Sequence, residues 1–305
     1  MNISDTQLDP RLHPQQDVYG VIGNPVAHSK SPIIHAQFAQ QAKQTIYYGK
    51  LFSEIDQFSE TVNTFFARGG RGLNVTVPFK HQAYQMCTHL TDRAKAAGVV
   101  NILWQQDGQY YGDNSDGVGL VRDIQNHPFP IEGKNILILG AGGAVQGVIL
   151  PFLEKKPAQI WIANRTSEKA QMIVERFRDV AKNAQVKLQA IALEHITQIQ
   201  DPIHLIINGT STGLHGTSPL TQEQVNHIAK STRKGQHESD PVLSYDMVYG
   251  KETDFMAQMR LAQIRTKDGL GMLVEQAAVA FELWRNISGQ GLLDTAQVLE
   301  QLRHS

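Results

Sequence analysis

Ile136-Leu137-Ile138-Leu139-Gly140-Ala141-Gly142-Gly143-Ala144-Val145-Gln146-Gly147-Val148-Ile149-Leu150 is the stretch around which the rest of the chain makes sense. Its four opening apolar residues predict a strand covered on both faces, as in a parallel sheet. The glycines then allow a tight turn with no Cβ in the way, and a helix is expected straight after them. Free N–H groups at such a helix start, aided by the helix dipole, suit a pyrophosphate. The turn departs from the strict G-x-G-x-x-G form, because Val145 stands where the third glycine would be. An ordinary tight strand–helix connection would share this local pattern, so the surroundings have to decide.

Downstream, apolar segments at 159–163, 186–190, 203–208 and 243–247 alternate with helical ones. That alternation predicts a doubly wound parallel sheet with helices on both faces. Ala170, Ile173, Val174, Phe177 and Val180 give one helix its apolar stripe, 233–241 reads as a polar surface loop, and 271–285 as a long helix that returns to pack on the first domain. Upstream, residues 1–17 read as a loose arm and 18–22 as a strand closed by Gly23-Asn24-Pro25. A helix from Pro32 to about 43 and a strand at 46–51 follow. Ile55, Phe58, Val62 and Phe65 recur at helical spacing, and 73–77 forms a strand stopped by Pro78. A helical stretch runs to Ala97, then a strand at 99–104, and Asp107-Gly108 signals a hairpin into 109–112. A helix begins at Asp116 and is broken by His127-Pro128, so a domain boundary is placed near Asp116.

At 305 residues the chain is long enough for two domains. It is 41% hydrophobic and 19% charged, as in ordinary globular proteins, and its net charge of -1 gives no support for nucleic acid or an anionic membrane as partner. A single cysteine, Cys87, excludes an intramolecular disulfide and fits a reducing compartment; beside Met86 in a helical reading it is expected to be a core thiol. The first 17 residues show no secretory signal, and no apolar run approaches the ~20 residues of a membrane span. A cytoplasmic protein is expected. The twelve histidines show no H-E-x-x-H or comparable spacing, so no metal is expected, and His28 and His35 read as structural or surface residues.

Polar residues gather just past the carboxyl ends of strands, where open α/β sheets bind ligands. Ser29 and Ser31 follow the first strand, Thr76 and Lys80 follow the third, Asn101 lies on the fourth, and Asp116 ends the hairpin. Hydroxyls, an amide, a carboxylate and an amine converging on one cleft suit a small polyhydroxylated acid. Singly, each has a plainer reading: Ser29 or Ser31 as a helix cap, Lys80 as a solvated lysine, Asp116 as an N-cap.

The same residues carry a resemblance. Asn24-Pro25-Val26-Ala27-His28-Ser29-Lys30-Ser31-Pro32, Asn74-Val75-Thr76-Val77-Pro78-Phe79-Lys80 and Gly98-Val99-Val100-Asn101 are similar to signature segments of the shikimate dehydrogenases. So are residues 112–117 and 140–144, Asn164-Arg165-Thr166, Tyr245-Asp246-Met247-Val248-Tyr249 and Asp268-Gly269-Leu270-Gly271-Met272-Leu273-Val274. The resemblance runs in order from about Tyr19 to Trp284. It implies reversible, NADPH-dependent reduction of 3-dehydroshikimate to shikimate on the route to chorismate and the aromatic amino acids. It implies that Ser29, Ser31 and Tyr249 hold the substrate carboxylate, and that Thr76, Lys80, Asn101, Asp116 and Gln276 surround the ring hydroxyls and the reacting carbon. Lys80 and Asp116 would be the catalytic pair, since hydride transfer to a ketone leaves an alkoxide that needs a proton. Cofactor contacts would fall on Gly140, Ala141, Gly142, Gly143, Ala144, Asn164, Arg165, Thr166, Lys169, Met247 and Gly269, with Asp92 as a further position. The implied fold is a Rossmann-like NADP-binding domain, 117–268, spliced into a discontinuous α/β substrate-binding domain, 1–116 and 269–305. A monomer or homodimer is expected.

Gln146 and Lys169 depart from the family, which often has a basic residue at the first and arginine at the second. Two other readings stand beside this one: an NAD-using quinate/shikimate dehydrogenase, and a non-catalytic nucleotide sensor on the same fold. A folate-type dehydrogenase is disfavoured by the serine loop and the intact 74–80 phrase. NADP is expected rather than NAD because the strand at 159–163 ends in Asn164-Arg165-Thr166 with no acid at its tip, where NAD-binding folds place one for the ribose 2′-OH. Arg165 suits a 2′-phosphate, and Glu168 is the nearest acid.

Overall fold

A computed structural model describes residues 7–127, 129–232 and 241–304. The chain divides into two compact units, Met1–Gly119 with Leu273–Ser305, and Leu120–Met272. The expected break at Pro128 and most of the expected 233–241 loop lie outside the described residues.

The first unit runs β1 (Asp17–Gly23), α1 (Ser31–Gln41), β2 (Ile46–Phe52), α2 (Phe58–Ala67), β3 (Gly70–Val75), α3 (Lys80–Met86), β4 (His89–Leu90), α4 (Asp92–Ala97), β5 (Ile102–Gln106), β6 (Gln109–Asp113) and the start of α5 (Asp116–Gln125). Its sheet order is β2-β1-β3-β5-β6-β4. β1 lies parallel to β2 and β3, whereas β5 is antiparallel to both β3 and β6. The β5–β6 turn is the expected hairpin: Asp107 and Gly108 both have positive φ, 51° and 74°, which matches the right-handed strand twist. Val18, Ile22, Phe58, Val62, Phe65, Leu73, Phe79 and Leu103 form one buried cluster under the sheet.

Four local expectations change. Ile55 precedes α2 and is exposed, so the apolar stripe starts at Phe58. β3 ends at Val75, which leaves Thr76 in the loop and Val77 exposed. The helical stretch to Ala97 is two helices, because His89 and Leu90 pair with Tyr111 and Gly112 across the sheet. That pairing partner lies some twenty residues away and no local period announces it. Residues 7–16 are not a loose arm either. Gln7 bridges Leu51, Gln16 donates to the Ile46 carbonyl at 3.1 Å, His13 stacks on Tyr47, and Leu8 fills the slot over Gly20 and Gly49. The arm covers β2, an edge strand whose free backbone groups would otherwise be open to another chain.

The second unit runs β7 (Asn135–Leu139), α6 (Gly143–Glu154), β8 (Gln159–Asn164), α7 (Ser167–Asn183), β9 (Lys187–Ala192), β10 (Leu205–Asn208), α8 (Gln222–Ser231), β11 (Leu243–Asp246), α9 (Asp254–Leu261) and β12 (Arg265–Lys267). All pairs are parallel in the order β12-β11-β10-β7-β8-β9. The chain leaves β7 in one direction and resumes on its other side at β10, so right-handed crossovers put α6 and α7 on one face and α8 and α9 on the other. The α7 stripe is Ala170, Ile173, Phe177 and Ala181; Val174 is half-buried and Val180 exposed. Two further helices follow, α10 (Leu270–Arg285) and α11 (Thr295–Arg303). Beyond Leu273, α10 belongs to the first unit, where Val279 and Ala280 pack with Ile102. No helix of the described residues is long and apolar enough to cross a membrane.

Asp113, at the end of β6, is fully buried. Arg93 grips it with Nε and Nη2, Thr91 donates at 2.5 Å and the Asn114 N–H at 2.7 Å. Burial alone would raise this carboxyl, but the Arg93 hydrogen bond and charge hold it below its ordinary 3.8. A depressed folded pKa means that this stabilisation is present above about pH 4 and is lost as the pH falls through the folded value. Arg93→Ala should lower the unfolding free energy by about 3–5 kcal/mol at neutral pH, since it strands a buried charge. Urea unfolding at pH 7 and at pH 3 should show that the gap to wild type narrows in acid; a gap independent of pH would place the loss elsewhere.

Candidate active site

In the first sheet, β1 sits between β2 and β3, so the chain leaves its neighbours in opposite directions at the carboxyl ends of β1 and β3. The loops after these two strands are laced together there: Thr76 N–H donates to the Ile22 carbonyl and Asn24 N–H to the Val77 carbonyl, both at 3.0 Å. The serine loop follows β1. Ser29 Oγ donates to Ser31 Oγ at 3.1 Å and accepts the Ser31 N–H at 3.3 Å. Ser31 is itself the first residue of α1, and the N-cap position belongs to Lys30, which makes no side-chain cap. Ser31 is therefore not the N-cap, and Ser29 reaches only the first N–H of the helix.

Lys80 opens α3, and its Nζ lies 2.5 Å from Asp116 Oδ2, with 14% and 6% of the two side chains exposed. The other carboxylate oxygen accepts Asn101 Nδ2 at 2.8 Å. Asn101 also reaches Gln276 Oε1 at 3.3 Å and accepts the Ser115 N–H at 2.8 Å, while Ser115 Oγ donates to the Gln276 carbonyl at 3.1 Å. Asn114 Oδ1 accepts the Asp116 N–H at 3.1 Å. Four residues chosen from the sequence, Lys80, Asn101, Asp116 and Gln276, thus form one hydrogen-bonded group, and Thr76 stands in the loop between β3 and α3. An ammonium has three protons, so Lys80 keeps donors for a ligand oxygen while it holds Asp116.

Sequence reasoning missed the layer behind this group. Asn74 Nδ2 donates to the Asn101 carbonyl at 3.2 Å, and Asn74 Oδ1 faces Tyr48 Oη at 2.7 Å and His35 Nε2 at 3.2 Å. Asn74 stands inside a quoted phrase, and its polarity on a buried strand was a usable signal. Ser115 likewise stands inside the 112–117 segment, whereas nothing local marked Tyr48.

In the second unit the Gly140 turn has φ +104°, a conformation that L side chains rarely adopt, and a Cβ there would come within 3.2 Å of the Gly209 backbone. Gly142 then caps α6 with no side chain, so the first N–H groups of that helix are free of intrahelical partners. The facing loops are shaped from behind. Asn208 Oδ1 accepts the Thr210 N–H and hydroxyl, and Asp246 accepts the Val248 N–H, Thr253 Oγ1 and Asn208 Nδ2. Burial raises the Asp246 carboxyl above 3.8 in spite of these donors. Gly269 packs so closely on Met247 that a Cβ would strike the Met247 carbonyl.

Arg165, Thr166 and Lys169 are exposed beyond β8, where Asn164 Nδ2 donates to the Thr166 carbonyl at 2.8 Å. Glu168 lines a groove of about 650 Å³ between α7 and β9 with Met172, Glu175, Ala190, Ile191 and Ala192. Tyr249 is half-buried past β11. Asp92 is exposed in the first turn of α4, where its ionic partner is Lys95 at 3.5 Å. Cys87 ends α3 with its thiol on the Ala83 carbonyl, and burial pushes that thiol up to about 12.

Residues 21–103 match the shikimate dehydrogenase substrate binding domain, 123–239 the shikimate / quinate 5-dehydrogenase domain, and 269–289 the shikimate 5'-dehydrogenase C-terminal domain. The NADP(+) shikimate dehydrogenase of Cupriavidus pinatubonensis is 46% identical over 291 residues, 94% of each chain. The structure resembles that of an Ael1 enzyme from Pseudomonas putida, with TM-score 0.79, 36% identity and 94% and 98% of the two chains covered. It also resembles Thermus thermophilus shikimate 5-dehydrogenase solved with NADP(H) and shikimate, with TM-score 0.76, 27% identity and 95% and 99% covered. Matches to successive parts of one enzyme, in order, and a relative nearly half identical along almost the whole length show that the chain belongs to the shikimate dehydrogenase family.

Proposed function

We propose that this chain catalyses the reversible, NADPH-dependent reduction of 3-dehydroshikimate to shikimate. The observation that carries the reading is the Lys80–Asp116 pair, its carboxylate buried and its lysine half-buried, cross-braced by Asn101 and Gln276. Residues 1–116 with 269–305 hold the substrate, and residues 117–268 hold NADP. The protein works in the cytoplasm as a monomer or homodimer, a placement supported by its single, half-buried, unpaired thiol.

NADPH, when bound, supplies the hydride. The second unit fits that cofactor: the α6 N-terminus is open to a pyrophosphate, the Gly140 turn has a positive φ and would set a Cβ only 3.2 Å from the Gly209 backbone, and the tip of β8 has no carboxylate. In the first unit Lys80 holds a proton at Nζ for the oxygen that becomes the shikimate hydroxyl. Asp116 and Asn101 keep that ammonium in place, and in the reverse direction the same nitrogen takes the proton back. Ser29 and Ser31, whose hydroxyls already lie 3.1 Å apart, turn them to the substrate carboxylate.

Loss of a positioned acid typically slows the chemical step ~10²–10⁴-fold. Lys80→Ala should therefore lower kcat for shikimate oxidation far more than it raises KM, and near-normal turnover followed at the nicotinamide absorbance would remove Lys80 from the mechanism. Ser31→Ala should weaken shikimate by roughly 1.5–3 kcal/mol, the worth of a hydrogen bond to a charged group, with little change in melting temperature. An early melt with unchanged KM would mean that the hydroxyl serves α1 instead.

Specificity for NADP rests on Arg165, with Thr166 and Lys169 beside it. Arg165→Ala should raise KM for NADP by the equivalent of roughly 1.5–3 kcal/mol and leave NAD nearly untouched. Equal losses with both cofactors, or a wild type that prefers NAD, would transfer the protein to the NAD-using quinate/shikimate branch.

A further inference from the structure

Asn101 is held from two sides. Its side chain spans Ser115, Asp116 and Gln276, while its carbonyl accepts the Val75 N–H at 2.9 Å and Asn74 Nδ2 at 3.2 Å. The second contact depends on which way the Asn74 amide faces. A half-turn would set its oxygen against the Asn101 carbonyl, two acceptors with no proton between them. With the amide so turned, Asn74 Oδ1 accepts the Tyr48 O–H at 2.7 Å and, in the tautomer that carries the proton on Nε2, the His35 N–H at 3.2 Å.

All three residues are buried, and His35 is fully so. Its ring stacks on Tyr48 at 4.1 Å and 7°. With Nε2 carrying the proton for Asn74, Nδ1 is left as a bare acceptor, and it has no hydrogen-bond partner. Burial pushes the imidazole down to about 3, so the ring stays neutral and keeps one N–H to offer. A charged histidine would carry a second N–H at Nδ1, where no hydrogen-bond partner lies. His35 also lies one helical turn beyond Ser31 on α1, and Tyr48 stands on β2, so both donors come from elements outside the Lys80 group.

We infer that His35 and Tyr48 are positioning residues: two neutral donors that lock the Asn74 amide so that it pins Asn101, and so tie the serine-bearing helix to the Lys80–Asp116 pair. This rests on the reading of Asn101 and Lys80 as the substrate site. Neither His35 nor Tyr48 touches a reacting atom, and their effect passes entirely through the orientation of Asn74.

The test uses the full chain, with melting temperature, kcat and both KM values measured for Tyr48→Phe, His35→Leu, His35→Gln and, alongside, Lys80→Ala. Tyr48→Phe removes a single oxygen and leaves the ring stack, so it decides the matter even where His35→Leu fails to fold. Loss of one neutral donor should lower kcat/KM for shikimate by roughly three- to ten-fold while KM for NADP stays put. His35→Gln, whose side-chain amide still offers an N–H, should recover most of that loss whatever happens to its melting temperature. Variants that melt early yet keep wild-type kcat and KM for shikimate, or Gln and Leu alike in kinetics, would overturn the inference while a crippled Lys80→Ala leaves the site reading standing. A Lys80→Ala protein with normal turnover would bring down the site reading and this inference together.

Discussion

Carboxylates taken out of water must be met by donors, and β6 with the turn after it delivers two of them, Asp113 and Asp116, three residues apart in a buried strand end. Much of the first unit follows from that demand. Arg93 comes from α4 to one and Lys80 from α3 to the other. A single continuous helix across residues 80–97 could not bring two cations to two sites in this way. The two-residue strand β4 breaks it, pairs with β6, and turns α3 and α4 toward different carboxylates. The remaining oxygen of Asp116 is satisfied by Asn101, which in turn holds Ser115 and Gln276. The polar group reads as a chain of obligations that starts from one buried charge.

The sequence was most legible where backbone chemistry dictates the answer. The glycine turn at Gly140, the Asp107-Gly108 hairpin and the alternation of apolar segments in the second unit each follow from local sterics or periodicity, and each is present in the structure. Lys80, Asn101 and Asp116 were legible through shared phrases, and Gln276 only through the resemblance as a whole, since it lies two residues past the 268–274 phrase and nothing in the spacing foretold that it, 160 residues beyond Asp116, would join them. What stayed hidden was non-local. The β4 pairing, the fit of Leu8 over Gly20 and Gly49, and the Tyr48 hydroxyl on Asn74 all depend on residues far apart in the chain. Small slips of phase, such as Val180 for Ala181 in α7, arise because a helix period of 3.6 lets neighbouring apolar residues compete for the same stripe.

The two units meet the problem of charge differently. In the second, the groups that suit a phosphate-rich cofactor are exposed: Arg165, Lys169 and a helix end with free N–H groups. They lie at the surface, where water already solvates them, and a multiply charged anion can exchange that water for direct contacts. The loops opposite are held by a buried layer of Asn208, Asp246 and Thr253, whose side chains are consumed in fixing backbone. In the first unit the carboxylate of the pair is buried and its lysine half-buried, and the supports behind them are neutral and already oriented. An amide, a phenol and an uncharged imidazole meet that condition, because each offers a donor without adding a further charge that would need a partner of its own. A charged residue in place of His35 would demand a counter-ion in a pocket where Asn74 is the only acceptor it is seen to use. The neutrality of the layer behind Asn101 therefore follows from its burial, which holds the His35 imidazole uncharged.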